Sequence, residues 1–474
     1  MGDLLRFVDS VAASPTVRLN LNDETTWTTQ SFDCPSPSLT RAASRNAMRD
    51  GISVASSSYD GRILTIRLLL QRSTQGLSAT QVQALARELD REKNILQWQP
   101  TGATKPVFFT TYRSSMGNVK QWTTQAATRE FEFELLADPF ALGLRETLGP
   151  YTVNNDPAHA TNGCYVDVTG VIGDVEAPCL IEDTGTTSAT GGLLYIGRRT
   201  RDATNMLFRF QGEAKTGGTA TNPGGAAVTV YSGSGSSNYV SQSVGAGASA
   251  TDLATFDVVS GATDAQRIAT RGRYRVLLFT KNGNSVSWRV RDSRDDPGFS
   301  MKPTVPTSNN TGDRAAIDLG LMDLYPPAPI AGGLAAPAPM GALTLALDAY
   351  NSAAGSVTVE VDCFILIPAD DEAMIANYGV GGDVVYDGID EQRAFMKETG
   401  ADIWAGTANV QDSVPFAGTI PSLVPNTTNR LVVVRTTKMV GDSSINFWPS
   451  VKTATTVLTL HYFPRYVNVR PAST

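Results

Sequence analysis

The segment "REFEFELLADPFALG" alternates charged and apolar side chains along most of its length. A period of two predicts a β-strand with one buried face, because successive side chains of a strand point to opposite sides of the sheet. The residues predicted to face the core are Phe131, Phe133 and Leu135. Pro139 cannot donate to a strand ladder, so the strand is expected to end at Asp138-Pro139 and to release the chain into a second domain.

The residues between the apolar ones are the carboxylates Glu130, Glu132 and Glu134. Three carboxylates on one face could form a catalytic site, a metal site or a wet surface. No histidine, metal motif or second carboxylate cluster lies near them in sequence, and alternation is what a half-buried strand requires in any case. We interpret them as a face towards solvent or a neighbouring subunit, a candidate oligomer interface at which arginines of an adjacent protomer are the expected partners.

Residues 1–148 are predicted to form an α+β domain with one helix. The segments "TWTTQSF", "GRILTIRLLLQ" and "PVFFTTYRS" are strand-like. Ser78 is the predicted N-cap of the helix, with Gln81 completing a capping box. An apolar stripe at helical spacing follows, consisting of Val82, Leu85 and Leu89, while Glu88 is expected to face water.

Residues 149–474 are predicted to form a β-sandwich of jelly-roll type, because many short apolar strands alternate with Gly, Asn, Asp and Pro. The segment "FTKNGNSVSW" predicts a hairpin that turns at Asn282-Gly283. Two low-complexity stretches, Gly/Ser-rich 215–250 and Pro/Ala-rich 325–342, are expected to be long surface loops. Residues 370–474 either complete the sandwich or form a small extension, with a weak helical stretch near "IDEQRAFMKETG".

Composition excludes several classes of protein. The formal net charge is −7 and no run of Lys or Arg is present, so no nucleic-acid partner is expected. No apolar stretch approaches the ~20 residues that span a bilayer, and the N-terminus lacks the pattern of a signal peptide. The chain is therefore expected to be made and folded in a cytoplasm, without membrane insertion.

The sequence also offers little catalytic or redox chemistry. Its four cysteines form no CxxC pair, which favours free thiols, and its two histidines are few for acid–base catalysis. No nucleophile elbow, HExxH, EF-hand or dinucleotide motif occurs, so no catalytic residue, metal or cofactor is predicted. Two acidic groups leave alternatives open: Asp292, Asp295 and Asp296 for calcium, and Asp383, Asp387, Asp390 and Glu391 for a glycosidase pair.

Several aromatic residues could stack on sugar rings if they are exposed, although aromatic residues of a sandwich are more often core. The candidates for glycan contact are Trp288, Tyr239 and Tyr325. Trp404 and Trp448 belong to the same group of aromatic residues.

An ordered series of segments resembles the N-terminal domain of siphophage distal tail proteins and related minor tail proteins, over residues 15–145. The segments are "DGISVASSSYDGRILTIRLLLQ", "LSATQVQALARELDREKNIL", "LQWQPTGATKPVFFTTYRS" and "ADPF". Further along, "CFILIPADDE" and "LVPNTTNRLVVV" add to this resemblance. The last strand, "VLTLHYFPRYVNV", resembles the terminal strand common in tail proteins of actinobacterial phages.

The resemblance implies a split β-barrel with one helix that assembles as a ring, usually a hexamer, at the end of the tail tube. It also implies a galectin-like or jelly-roll domain that carries tip proteins or touches the host surface. The expected location is the tail tip of the virion, and the expected partners are further copies of the chain, the tail tube protein and tail-tip proteins.

Three functions follow as hypotheses. The first is a structural virion protein, a non-enzymatic adaptor between tail tube and tip. The second is a module that binds host glycans, and the third is an enzyme that cleaves cell-wall polysaccharide.

Overall fold

The architecture was taken from a computed structural model of the chain. It describes residues 3–45, 52–71, 75–121, 129–157, 159, 162–184, 192–212, 217–220, 239–257, 264–281, 286–292, 314–324, 344–370, 372–378, 383–390, 392–398, 403–405, 410–436, 446–447 and 454–469.

The chain divides into two compact units. Unit 1 contains Met1–Glu146, Ile172–Ala177 and Tyr462–Thr474, and unit 2 contains Thr147–Val171 and Pro178–His461. Unit 1 thus takes in two later segments, 172–177 and 462–474, which were expected in the second domain on sequence grounds.

Unit 1 contains one α-helix and twelve strands among the described residues. They are β1 (Leu4–Val8), β2 (Val17–Asn20), β3 (Trp27–Asp33), β4 (Leu39–Arg45), β5 (Ile52–Tyr59), β6 (Arg62–Leu70), α1 (Gln75–Leu89), β7 (Lys93–Gln99), β8 (Val107–Tyr112), β9 (Asn118–Gln121), β10 (Arg129–Ala137), β11 (Ala141–Leu142) and the last described strand of the chain, β32 (Arg465–Tyr466).

Ten of the described strands form one antiparallel sheet. Its order is β2-β1-β7-β8-β10-β6-β3, with β9 paired to β10 and β11 paired to both β8 and β32. The sheet curls back on itself, because Phe32 of β3 packs edge-on against Trp98 of β7 and Phe109 of β8, with ring centroids 5.0 and 6.2 Å apart.

The predicted strand at the centre of this sheet is confirmed. Strand β10 runs to Ala137, and Phe131, Phe133 and Leu135 are each at most 1% exposed. It pairs with β6 over nine residues, from Arg129 opposite Leu70 to Ala137 opposite Arg62. Because both strands alternate in phase, one side of the pair forms the core of unit 1 and the other forms its surface.

Helix α1 covers the predicted apolar stripe but begins earlier than predicted. Leu85 and Leu89 are buried in the core of unit 1 and Val82 packs against it. Ser78 lies inside the helix, which starts at Gln75, so the predicted N-cap is wrong. Glu88 is also buried, not facing water, because it accepts hydrogen bonds from Arg91 Nε (2.8 Å) and Asn94 Nδ2 (3.0 Å).

Strands β4 and β5 form a two-stranded ribbon outside the ten-stranded sheet. They pair with each other and with no other described strand. At the base of the ribbon, the Asp60 amide donates to the Ser38 carbonyl at 3.0 Å and Tyr59 packs edge-on against Phe140 at 5.3 Å. Both long edges of the ribbon therefore carry backbone groups that could pair with another chain.

The strands and helix of unit 2 follow in chain order. They are β12 (Glu146–Asn154), β13 (Tyr165–Val168), β14 (Cys179–Asp183), β15 (Gly192–Arg199), β16 (Arg209–Gln211), β17 (Val240–Val244), β18 (Ser249–Asp257), α2 (Asp264–Ala269), β19 (Gly272–Lys281), β20 (Val286–Asp292), β21 (Arg314–Leu324), β22 (Thr344–Asn351), β23 (Val357–Pro368), β24 (Glu372–Tyr378), β25 (Asp383–Asp387), β26 (Arg393–Lys397), β27 (Val410–Ser413), β28 (Phe416–Gly418), β29 (Asn429–Arg435), β30 (Asn446–Phe447) and β31 (Thr455–Tyr462).

The described strands of unit 2 form four sheets. Two use strands from both ends of the unit: β12-β31-β14-β25-β26-β27 and β13-β29-β15-β24-β28. The other two are built from the middle of the chain, except for β30, which lies close to the end of unit 2: β16-β23-β19-β21-β30, with β17 beside β23, and β18-β22-β20. Within the described residues the fold is therefore mainly β, as predicted.

Apart from β30, the middle pair of sheets is an insertion into the outer pair. Strands β15 and β24 are adjacent and antiparallel, with Arg198 opposite Glu372, so the chain leaves and re-enters the five-stranded sheet at neighbouring positions. Ion pairs hold both ends there: Arg198 to Glu372 at 3.4 Å and Arg199 to Asp370 at 2.6 Å.

The two middle sheets pack face to face through aromatic side chains. Phe256 of β18 lies edge-on to Phe364 of β23, with ring centroids 4.9 Å apart. Phe210 of β16 stacks on Phe364 at 4.5 Å, and all three belong to one buried cluster. This shared core holds the two sheets together.

Three local predictions for this region are wrong. Strands β19 and β20 do not form a hairpin, because β19 pairs with β21 and β23 while β20 pairs with β22; Asn282-Gly283 lies outside the described residues. Residues 393–397, expected near a helical stretch, form strand β26. The Gly/Ser-rich stretch is not one long loop, because it contains β17 and the start of β18. Residues 221–238 of it lie outside the described residues, as does the whole Pro/Ala-rich stretch.

Candidate functional site

The predicted carboxylate row lies on the outer face of the β6–β10 pair. Glu130 and Glu132 are half-buried and Glu134 is exposed. Across the strand pair, Glu130 is opposite Leu69, Glu132 opposite Arg67 and Glu134 opposite Thr65. The alternation therefore places all three side chains on one surface, together with the outward residues of β6.

Glu132 finds a cationic partner within its own chain. Arg67 Nη2 lies 3.1 Å from Glu132 Oε1, and the two side chains are 52% and 36% exposed. An ion pair this exposed stabilises a fold by less than ~1 kcal/mol. It can nevertheless fix the orientation of charges on a surface that meets another molecule.

An apolar row continues the same face and was not predicted. Leu136 is 52% exposed and Ile63, directly opposite on β6, is 51% exposed. On the other side of β10, Ala137 pairs with Thr111, which brings Leu136 next to Tyr112, 40% exposed. We call Ile63, Leu136 and Tyr112 the outer apolar row.

Tyr112 is fixed within this row by a carboxylate. Its hydroxyl donates to Asp138 Oδ1 at 2.6 Å, and this hydrogen bond, with burial, raises the pKa of Tyr112 above its ordinary value. The sequence did contain a signal for the row, since Leu136 falls in phase with the three glutamates. Its exposure depended on the register with β6 and β8, which the sequence does not specify.

The candidate glycan residues occupy different environments. Trp288 is 0% exposed and lies in the core of unit 2, so its ring is not presented to a ligand. Tyr239 is half-buried against the same core, and Tyr325 lies outside the described residues. Trp404 is 39% exposed and packs edge-on against His461 at 6.3 Å.

The acidic groups do not converge on a metal or a catalytic pair among the described residues, where no cluster of three or more His, Cys, Asp or Glu could hold a metal ion. Asp383 and Asp387 stand at opposite ends of β25, four residues and therefore about 13 Å apart along a strand. Asp387 caps a turn by accepting the amide of Ile389 at 3.0 Å and pairs with Arg393 at 3.2 Å. Asp295, Asp296 and Glu391 lie outside the described residues.

A buried polar cluster on the six-stranded sheet was not predicted. Glu182 accepts from Lys397, which is 2% exposed, and lies 3.3 Å from His461 Nε2. Burial raises the pKa of Glu182, but the hydrogen bonds from His461 and Lys397 outweigh it and bring the pKa below its ordinary value. His461 Nδ1 is engaged at 3.0 Å by Thr147 Oγ1, so the cluster is an internally satisfied network.

The cysteines are unpaired thiols, and three of the four, Cys164, Cys179 and Cys363, are buried. Burial raises the pKa of Cys179 above its ordinary value. Within the described part of the chain, no helix is long and apolar enough to cross a membrane.

The chain matches no protein-family model, and no curated protein matches it. Among solved structures it is similar to the SPP1 Dit protein, described as a paradigm of the hub adsorption apparatus in phages that infect Gram-positive bacteria, at 9% identity and a TM-score of 0.37 over 98% of this chain and 99% of that one. Two structures of the phage P2 baseplate in its activated conformation, one with Ca and one with Sr, align over 76% of this chain. They cover 98% and 97% of those chains, at 7% and 8% identity and TM-scores of 0.24 and 0.23. TM-scores this low do not establish a common fold.

Proposed function

We propose that the chain is a structural subunit of a phage tail, a distal tail or minor tail adaptor that joins the tail tube to the tip proteins. It acts in the virion, at the tail tip, and has no enzymatic role. Unit 1 is the part that makes the ring, as the resemblance of residues 15–145 to distal tail proteins implies. The ring is a homo-oligomer, a hexamer by the same resemblance.

The observation that carries the proposal is the outer apolar row. Ile63, Leu136 and Tyr112 are side by side on three neighbouring strands, and each leaves at least 40% of its surface in water. Burying apolar surface stabilises association by roughly 25 cal/mol per Å². Contiguous exposed apolar side chains, unlike single scattered ones, mark surfaces suited to contact with another molecule.

The charges beside the row supply specificity for the same contact. Glu130 and Glu134 offer carboxylates, and the Arg67–Glu132 pair lies between them. Apolar side chains flanked by charged ones are the usual arrangement of a protein interface, with an apolar centre and a polar rim. The arginines of an adjacent protomer are the partners proposed for Glu130 and Glu134.

The ribbon of β4 and β5 is a second surface suited to assembly. Neither of its edges pairs with another described strand. An unpaired edge is a template for strand addition by a neighbouring molecule.

The test is the mass and symmetry of the purified full chain, measured by native mass spectrometry and negative-stain electron microscopy. A closed ring is the expected result. The double variant Ile63→Asp/Leu136→Asp places charges in the proposed contact, and we expect it to weaken self-association by at least about tenfold.

Leu321→Asp is the matched control, because Leu321 is 43% exposed in unit 2 and lies away from the proposed contact surface in sequence. Circular dichroism of all variants shows whether they fold. A folded wild-type chain that stays monomeric up to high micromolar concentrations contradicts the proposal, as does a double variant that assembles like Leu321→Asp.

The alternative function, a glycan-binding module for host attachment, draws no support from Trp288, which is buried. A different surface of unit 2 has the chemistry for it.

A further inference from the structure

The outer face of the sheet β18-β22-β20 carries a recess. Its volume is about 370 Å³, within the ~300–1,000 Å³ of small-ligand sites. The opposite face of the same sheet is core, because Trp288, Val290 and Leu347 are each at most 1% exposed. The sheet is therefore a fixed floor for whatever occupies the recess.

Tyr350 is the exposed aromatic group of the recess. It is 42% exposed on β22, the central strand. Ser249 on one neighbouring strand and Ser287 on the other are its direct cross-strand partners. An aromatic face with a hydroxyl on each side offers one apolar surface and two hydrogen-bonding groups in a single row.

An arginine beside Tyr350 is held rigidly in the recess. Asp348, which is 5% exposed, accepts hydrogen bonds from Arg289 Nε at 2.7 Å, from Arg291 Nε at 2.7 Å and from the Asp252 amide at 2.9 Å. Arg289 Nη2 also pairs with Asp348, while its Nη1 makes no hydrogen bond within the described residues. That nitrogen is an oriented donor, with little entropy left to lose when it binds a ligand.

The charged side chains that the structure describes at the recess balance one another. Arg291 pairs with Asp252 at 2.7 Å as well as with Asp348. Among these described residues, two guanidinium groups thus face two carboxylates, so their formal charges cancel. A neutral ligand with many hydroxyl groups complements such a surface better than an anion or a cation does.

We propose that this recess binds a neutral carbohydrate. The sugar ring stacks its apolar face on Tyr350, while Ser249, Ser287 and Arg289 Nη1 hydrogen-bond its hydroxyls. The site lies in unit 2 and uses none of the residues of the outer apolar row, so it stands independently of the proposed ring.

The first experiment applies the labelled full chain to a glycan array. The array carries neutral oligosaccharides of glucose, galactose, rhamnose and N-acetylglucosamine, together with sialylated and phosphate-bearing glycans. We expect binding to at least one neutral glycan and no preference for the anionic ones. No binding to any neutral glycan, or binding confined to anionic ones, overturns the proposal.

The second experiment measures the affinity for the best neutral glycan by calorimetry. Tyr350→Ala removes the stacking surface and is expected to weaken binding at least about tenfold. Tyr350→Phe keeps the ring and should stay within about threefold of wild type.

Trp404→Ala is the matched control, because Trp404 is an aromatic residue of unit 2 at 39% exposure that does not line the recess. It is expected to bind the glycan like wild type. If Tyr350→Ala folds, as circular dichroism reports, and binds as well as Trp404→Ala, the recess is not the site.

Discussion

Arg435 and Asp183 form an ion pair that joins two sheets of unit 2. Nη2 of Arg435, on β29, lies 2.5 Å from both carboxylate oxygens of Asp183, on β14, and both side chains are at most 4% exposed. Arg435 also donates from Nε to Thr456 Oγ1 at 2.6 Å and lies over the ring of Tyr378 at 4.7 Å. The pair is therefore desolvated and fully engaged.

Removal of one partner is predicted to be costly. Asp183→Ala leaves a buried guanidinium without its countercharge, and we expect a loss of about 3–5 kcal/mol in the free energy of unfolding. Denaturant titration followed by circular dichroism measures it. Glu132→Ala, which breaks the exposed pair with Arg67, is the control and should cost less than ~1 kcal/mol. Equal losses of unfolding free energy in the two variants would contradict the conclusion that the Arg435–Asp183 pair is desolvated.

The stability of unit 2 is predicted to depend on pH through Asp348. Burial raises the pKa of Asp348, but hydrogen bonds from Arg291, the Asp252 amide and Arg289 outweigh it, so the pKa lies below its ordinary value. In the unfolded chain the group titrates near ~3.9. As pH falls, the unfolded chain therefore binds the proton before the folded chain does. The stabilisation that ionised Asp348 gives to the fold is complete above the unfolded-state pKa, and it is lost as pH falls through the folded-state pKa.

The measurement is the difference in unfolding free energy between wild type and Asp348→Asn across pH. We expect a constant difference above about pH 5 that shrinks below about pH 4. Asp90→Asn, at an exposed pair with Arg113, controls for the removal of one charge. A difference that stays constant to low pH contradicts the assignment.

Gly197 is predicted to be required where the insertion meets the five-stranded sheet. A Cβ there would lie 2.2 Å from the carbonyl oxygen of Pro368 and 2.6 Å from Ile367 Cγ2. Gly197→Ala is therefore expected to cost at least ~1–3 kcal/mol, because backbone must move to accept it. Gly355→Ala, with nothing within 4 Å of its Cβ, is the control and should stay within ~0.5 kcal/mol of wild type in thermal unfolding. Similar unfolding midpoints for the two variants would mean that Gly197 is not packed closely against Pro368 and Ile367.

The two faces of β10 are predicted to respond differently to truncation. Phe131 is 0% exposed and packs edge-on against Trp27, with ring centroids 5.6 Å apart. Phe131→Ala is expected to lower the free energy of unfolding by about 3–5 kcal/mol. Glu134→Ala, on the exposed face, should change the free energy of unfolding by less than ~0.5 kcal/mol. Denaturant unfolding of both variants checks this, and a larger cost for Glu134→Ala would reverse the assignment of the faces.

Local pattern was sufficient where burial follows a simple period. The alternation around Phe131 predicted a strand with the correct inner face, and the spacing of Leu85 and Leu89 predicted a helix. The predicted N-cap at Ser78 is wrong, because a capping motif is short and recurs by chance inside helices. The predicted exposure of Glu88 is wrong because its partners, Arg91 and Asn94, become neighbours only where the helix ends and β7 begins.

Local turn chemistry failed where distant strands competed. Asn282-Gly283 favours a two-residue turn, yet β19 pairs with β21 and β23, and β20 pairs with β22 in another sheet. Residues 393–397 have a helical spacing but form β26 against β25. In both cases, hydrogen bonds and burial within a large sheet stabilise the chain more than the local preference for a turn or a helix does.

The sequence by itself determined that the chain is mainly β, that β10 buries its phenylalanines and that α1 packs by Leu85 and Leu89. Those features depend on residue spacing, which local backbone geometry converts directly into faces. Only the tertiary structure decided that β15 and β24 are neighbours around an insertion, that Ile63, Leu136 and Tyr112 share a surface, and that Arg289 is held beside Tyr350. These relations depend on which distant strands pair and in what register, because each strand offers the same backbone hydrogen bonds to many partners and only the burial of the whole core selects among them.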